Sequence, residues 1–150
     1  MTMRQQTILM VEDDPCDRKL ALRAFEKANL KSPIQVVADG IQAMHYLTGE
    51  ASYNDRAIYP LPAVILMDIN TPLMNGFEFL EWLRAQPKLS RLPVVVFSSS
   101  EHPSDVNRAY ELGANSFILK PLGTEKLIAT FQAFISYWLE FNVTPSLETD

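Results

Sequence analysis

Glu12 and Asp13, Asp68, Ser98 and Lys120 each follow directly on a short apolar run. The runs are Thr7 to Val11, Val64 to Met67, Pro93 to Phe97 and Ser116 to Leu119. If they are parallel strands, their carboxyl ends share one edge, and three carboxylates, a hydroxyl and an amine converge there from distant parts of the chain. Carboxylates that close resist ionising together, and a divalent cation relieves the conflict. An oxygen-lined site that leaves several positions to water suits Mg²⁺, with Mn²⁺ a possible substitute. Beside such an ion Asp68 could act as a nucleophile toward a phosphoryl group. Lys120 would place a point charge on a phosphoryl or carboxylate oxygen, and Ser98 would donate its hydroxyl to another. Taken alone, Asp68 is equally well explained as a turn or cap residue; the joint placement favours chemistry.

The elements that must hold these groups alternate along the chain. Val64 to Met67 has no polar side, as in a strand covered on both faces. Asp14-Pro15 reads as an N-cap and first helical residue, with a helix to about Asn29 carrying Leu20, Ala21, Ala24, Phe25 and Ala28. Ile34 to Ala38 is a second strand, and Asp39-Gly40 opens a helix that ends near Thr48-Gly49. Residues 49–62 show no periodicity and read either as an ordered loop or as a partner surface. A third helix carries Phe77, Leu80 and Leu83 and stops before Pro87. A fourth spans Pro103 to Leu112, and a last one, about Gly123 to Phe141, carries Leu127, Ile128, Phe131, Phe134, Ile135 and Trp138. Five strand-helix units in strict alternation give one parallel sheet with helices on both faces, an α/β fold.

At 150 residues the chain fits one domain that needs no disulfide or metal to hold its core. Its single cysteine, Cys16, forms no internal bridge and is expected to be a packed thiol. The net charge of -5 and the lack of a basic block argue against nucleic acid as a partner. No run is long and apolar enough to span a membrane, no leader is evident, and a cytoplasmic location is expected. His45 and His102 are isolated and read as solvated or partner-facing.

The set Glu12-Asp13, Asp68, Ser98 and Lys120-Pro121, in this order and each at a strand end, resembles the receiver domain of two-component response regulators. The resemblance runs from about Thr7 to Trp138. It implies a flavodoxin-like, CheY-like (βα)5 fold with strand order 2-1-3-4-5. It implies that Asp68 accepts phosphate from a kinase histidine, and that Glu12, Asp13, Asp68 and the backbone carbonyl of Asn70 hold Mg²⁺. Ser98 would be the switch hydroxyl and Phe117 the aromatic switch residue. The chain would catalyse only its own phosphotransfer and autodephosphorylation.

The loop before the third strand and the aromatic-rich end are similar to small regulators that partner cyanobacterial phytochrome histidine kinases. That likeness implies a phytochrome-type kinase partner and a homodimer through the fourth helix, fifth strand and fifth helix. Phe134, Tyr137, Trp138 and Phe141 fit such a face, or merely pack a longer helix onto its own sheet. The domain is expected to span 7–141, with 142–150 a short, polar, mobile tail through which no output domain follows.

Rival readings share the alternation. A flavodoxin needs a phosphate-cradling loop after its first strand, and Glu12-Asp13-Asp14 would repel a phosphate there. A haloacid-dehalogenase-like phosphatase carries its nucleophile near the first strand with a second acid two residues on, which Asp68-Ile69-Asn70 lacks. A receiver fold that only binds partners would be missing an acid or the lysine, and none is missing.

Overall fold

A computed structural model describes residues 6–147. The polar lead-in up to residue 5 and residues 148–150 of the expected tail lie outside the described residues. The strands are β1 (Ile8–Val11), β2 (Ile34–Val37), β3 (Val64–Met67), β4 (Val94–Ser98) and β5 (Ser116–Leu119). The helices are α1 (Pro15–Lys27), α2 (Gly40–Thr48), α3 (Gly76–Arg84), α4 (Pro103–Glu111) and α5 (Thr124–Ile135). All strand pairs are parallel, and the sheet order is 2-1-3-4-5, as the family resemblance implied.

Alternation along each strand divides the core between two helical layers. Leu9, Val11, Ile65, Met67, Val94 and Val96 face α2, α3 and α4, whereas Ile8, Met10, Val64, Leu66, Val95 and Phe97 face α1 and α5. Buried from both sides, β1, β3 and β4 have no room for a polar residue until the strand ends. The first side chains that can ionise therefore appear together at the carboxyl edge.

Local chemistry fixes where the helices begin. The Asp14 carboxylate accepts from the backbone N–H of Cys16 (2.8 Å) and Asp17 (3.1 Å), and Pro15 follows as the first helical residue. Asp39 caps α2, and Asn75 with Glu78 forms a capping box on α3. Gly49 closes α2 in the left-handed conformation, φ 74°.

Residues 49–62 are an ordered loop. Arg56 donates to the carbonyls of Tyr46 (2.7 Å), Leu47 (2.7 Å) and Tyr59 (3.1 Å), satisfying the carboxyl end of α2 and pinning the loop in one stroke. The rings of Tyr46, Tyr53 and Tyr59 pack against one another beneath it, and the Tyr46 hydroxyl donates to Pro60 O at 2.7 Å. Burial pushes the Tyr46 phenol up to about 12. Arg84, the last residue of α3, ties the segments before β4 and β5 together, donating to the carbonyls of Ser90, Leu92 and Gly113.

Three expectations change. Cys16 is exposed, because the first turn of α1 turns that position away from the sheet. The last helix is not uniform: after Ile135 it widens into a π-helical segment, Ser136–Phe141. Residues 142–147 of the expected tail lie folded back under the amino edge of the sheet. There Gln6 donates to Thr144 Oγ1 (3.4 Å), Arg91 donates to Ser146 O (3.0 Å), and Leu147 is only 7% exposed within the core. Burial of this apolar side chain and the two hydrogen bonds offset part of the freedom that the segment loses.

Candidate phosphoacceptor site

β1 and β3 are neighbours, with Val11 in register with Met67, so Glu12 and Asp68 emerge side by side. Both are buried. β5 lies two strands away beyond β4, and Lys120 crosses that gap with its long stem, passing 5.8 Å from the centre of the Phe97 ring. Its ammonium donates to Glu12 Oε1 (2.8 Å), Asp68 Oδ2 (2.8 Å) and Asp17 Oδ2 (3.1 Å). Burial alone would pull the ammonium down, but the hydrogen bonds and charges of Asp68 and Glu12 outweigh it, and Lys120 holds its proton above the ordinary lysine range. Burial acts the other way on Glu12 and wins: its carboxyl lies above its ordinary value despite the Lys120 contact, with the nearby Asp68 charge adding to the rise.

The turn after β3 is held tightly. Asn70 N–H donates to Asp68 Oδ1 at 2.9 Å, and Gly76 N–H to Ile69 O at 3.0 Å. The Met74 carbonyl accepts from the Thr71 hydroxyl (2.9 Å) and from Gly40 N–H (3.0 Å), tying the turn to the start of α2. At Gly76 the helix backbone passes so near the turn after β3 that a Cβ would stand 2.6 Å from Ile69 Cα. Asp68 is thus fixed from both sides and faces a cavity of about 340 Å³ lined by Glu12, Asp17, Phe97, Ser99, Lys120 and Leu122.

Not every expected member makes contact. Asp13 is half-buried, and its carboxylate enters no hydrogen bond or ion pair among the described residues. Ser98 is fully buried at the end of β4; its hydroxyl accepts from Ser100 N–H (3.2 Å), and it has no bond to Asp68 among the described residues. Phe117 lies half-buried against the α2–α3–α4 side of the core. Asn70 is exposed.

The sequence reading missed Asp17. It stands in the first turn of α1, beyond any strand end, where the strand pattern carries no signal for it.

As they lie, no three of the described His, Cys, Asp or Glu side chains stand close enough together to enclose a metal ion. The donor set nonetheless fits a hydrated divalent cation: the unbonded Asp13 carboxylate and Asp68 are oxygen donors, and a cation with few protein ligands takes water at the rest. Asp14 is excluded as a ligand because its carboxylate is taken up in capping α1. His102 is likewise accounted for, its Nδ1 capping α4 through Ser104 N–H at 3.3 Å.

The aromatic end of the chain divides. Phe134 and Trp138 pack on the α1–α5 side of the core, while Tyr137 is 53% and Phe141 74% exposed. Among the described residues no helix is long and apolar enough to cross a membrane.

Comparison with known proteins agrees with this geometry. Residues 8–132 match the family model of the response regulator receiver domain. The chain is 34% identical over 138 residues to the probable methanogenesis regulatory protein FilR2 of Methanothrix harundinacea, covering 92% of this chain and 86% of that protein. It is 32% identical over 141 residues to the response regulator Rcp1 of Synechocystis sp., covering 94% of each; Rcp1 has been solved in a Mn(2+)-bound form, with TM-score 0.83 to this chain. The phosphorylated cyanobacterial phytochrome response regulator RcpA superposes with TM-score 0.85 at 32% identity, over 95% of this chain and all of that one. With its sheet order, its strand-end acids and its lysine in place, the chain belongs to the response regulator receiver family of phosphorylation-based two-component signalling.

Proposed function

We propose that Asp68 accepts a phosphoryl group from the phosphohistidine of a sensor kinase of phytochrome type. An Asp68 carboxylate oxygen forms the new bond to phosphorus, the P–N bond of the donor breaks, and the imidazole leaves with the electron pair and takes up a proton. The observation that carries this reading is the Lys120 ammonium 2.8 Å from Asp68 Oδ2, at the wall of an open cavity. That contact fixes the nucleophile and leaves a cation in place for the charge that builds on the transferred group. Lys120 is charged throughout, since its proton is held above the ordinary range.

Glu12, Asp13, Asp68 and the Asn70 carbonyl would hold Mg²⁺, which Mn²⁺ could replace. Bound there, the ion would screen the charge of the attacking carboxylate and of the phosphoryl oxygens. The chain's own catalysis would extend to autodephosphorylation and no further.

Ser98 is the hydroxyl placed to follow the phosphoryl group. Moving toward it would break the bond from Ser100 N–H and vacate room beside β4 that Phe117 can enter from β5. The face formed by α4, β5 and α5 would then alter its contacts. The exposed Tyr137 and Phe141 at the end of that face support a homodimer there, which sedimentation velocity with and without a phosphoryl mimic would test by its shift in mass. A cytoplasmic location, inside the compartment of such kinases, fits the single exposed thiol.

The deciding experiment is mass spectrometry after incubation with acetyl phosphate and Mg²⁺. The expected result is one added phosphoryl group mapping to Asp68 and absent from Asp68→Asn. Label that maps elsewhere, or survives that substitution at the wild-type rate, overturns the assignment.

A further inference from the structure

An ammonium has three N–H bonds, and in this site each one ends on a different carboxylate. Glu12 and Asp68 are the inner two, with side chains 6% and 11% exposed; Asp17 is the outer one, 45% exposed. Asp17 lines the same cavity that gives access to Asp68. Because both bond one nitrogen, the Asp17 and Asp68 oxygens are no more than about 6 Å apart. Anything that brings phosphorus to Asp68 through the cavity therefore comes within reach of a second, outward-facing negative charge that the chemistry does not consume.

We infer that Asp17 is a specificity-determining residue for phosphoryl transfer: its carboxylate, held on the Lys120 ammonium, disfavours phosphodonors in proportion to the negative charge they carry. The inference rests on Asp68 being the acceptor. Its site is fixed by α1, where the Asp14 cap positions the backbone of Asp17 and the helix start favours an acid in the first turn. Small polyanionic donors are held back, whereas a phosphoimidazole presented by a protein brings its own surface charges and neutralising contacts. The carboxylate thus tilts the chain away from metabolite phosphates and toward a protein partner.

The test compares dianionic acetyl phosphate with monoanionic phosphoramidate on the full chain with Mg²⁺. In both reactions an Asp68 oxygen bonds to phosphorus; the P–O bond to acetate breaks in the first and acetate leaves, while the P–N bond breaks in the second and ammonia leaves. At the separation given, one unit of charge removed changes the rate by a factor of about three per unit of donor charge in a water-like medium. Asp17→Asn should raise the rate with acetyl phosphate about tenfold and that with phosphoramidate about threefold. Asp17→Glu should keep the wild-type ratio of the two rates, and added salt should narrow the gap between wild type and Asp17→Asn. A merely structural role would change both donors alike. The inference is overturned if the ratio of the two rates is unchanged in Asp17→Asn, or if both fall together, while wild type is labelled normally. If neither donor labels wild type at all, the acceptor assignment itself fails and this inference with it.

Discussion

Lys120 Nζ stands 2.8 Å from Asp68 Oδ2 and 2.8 Å from Glu12 Oε1, so one ammonium bridges two buried carboxylates that adjacent strands deliver side by side. Lys120→Met should leave those acids facing each other without a counter-charge. The expected loss is about 2–3 kcal/mol in urea denaturation without divalent cations, less than for a sealed site because the cavity admits water. Mg²⁺ should raise the melting temperature of the variant more than that of wild type, since the lysine no longer competes for the acids. An equal rise in both proteins would mean that the ammonium and the cation do not share these ligands.

Gly76→Ala tests how firmly the Asp68 turn is held. The new methyl would meet Ile69 Cα at 2.6 Å and Asp68 O at 3.2 Å, and backbone cannot yield as a flexible side chain would. A destabilisation of about 1–3 kcal/mol is expected, together with slower labelling of Asp68 by acetyl phosphate. Unchanged stability would show that α3 does not approach the Asp68 turn so closely.

Tyr46 provides a pH signature far from the phosphoacceptor. Its folded pKa is raised from 10.0 to about 12, so below pH 10 both folded and unfolded chains keep the proton and its contribution to stability is complete. Between 10 and about 12 the unfolded chain loses the proton first, and stability falls as pH rises. Burial raises Tyr53 as well as Tyr46, so of the five tyrosines absorbance titration should show more than one phenol ionising late, and Tyr46→Phe should remove one of them. The same substitution leaves Pro60 O without its donor and should cost about 1 kcal/mol near neutrality.

Leu147→Ala should cost about 2 kcal/mol, because a nearly buried side chain is cut back against the α2–α3 layer. Phosphorylation of Asp68 should proceed unchanged, since the contacts of 142–147 lie at the opposite edge of the sheet. A variant with wild-type denaturation midpoint would mean that the tail does not dock in solution.

The strand-end acids were legible because a sheet buried on both faces forces the first polar residue of β1 and β3 to its carboxyl edge, and Lys120 because it follows the apolar run of β5 at that same edge. The same rule placed Asp68 and Lys120 within reach before any coordinates. Asp17 was not legible, since its place depends on where α1 starts over the sheet, which the strand pattern does not report. Leu147 was hidden for a related reason: a lone leucine among Thr144, Pro145 and Ser146 carries no periodicity, and only the opening left between β3 and the α2–α3 layer tells it where to go. Arg56 and Arg84 were equally silent. Their work is done on backbone carbonyls, which every sequence supplies and none advertises.

The backward fold of 142–147 separates the two ends of the molecule in a practical sense. A fluorophore or affinity handle joined beyond Leu147 would hang below the amino side of the strands, where Gln6 and Arg91 grip the returning chain. Tethered to a surface that way, the protein would present its acidic cleft to the solution, open to an arriving kinase and unobstructed by the linker.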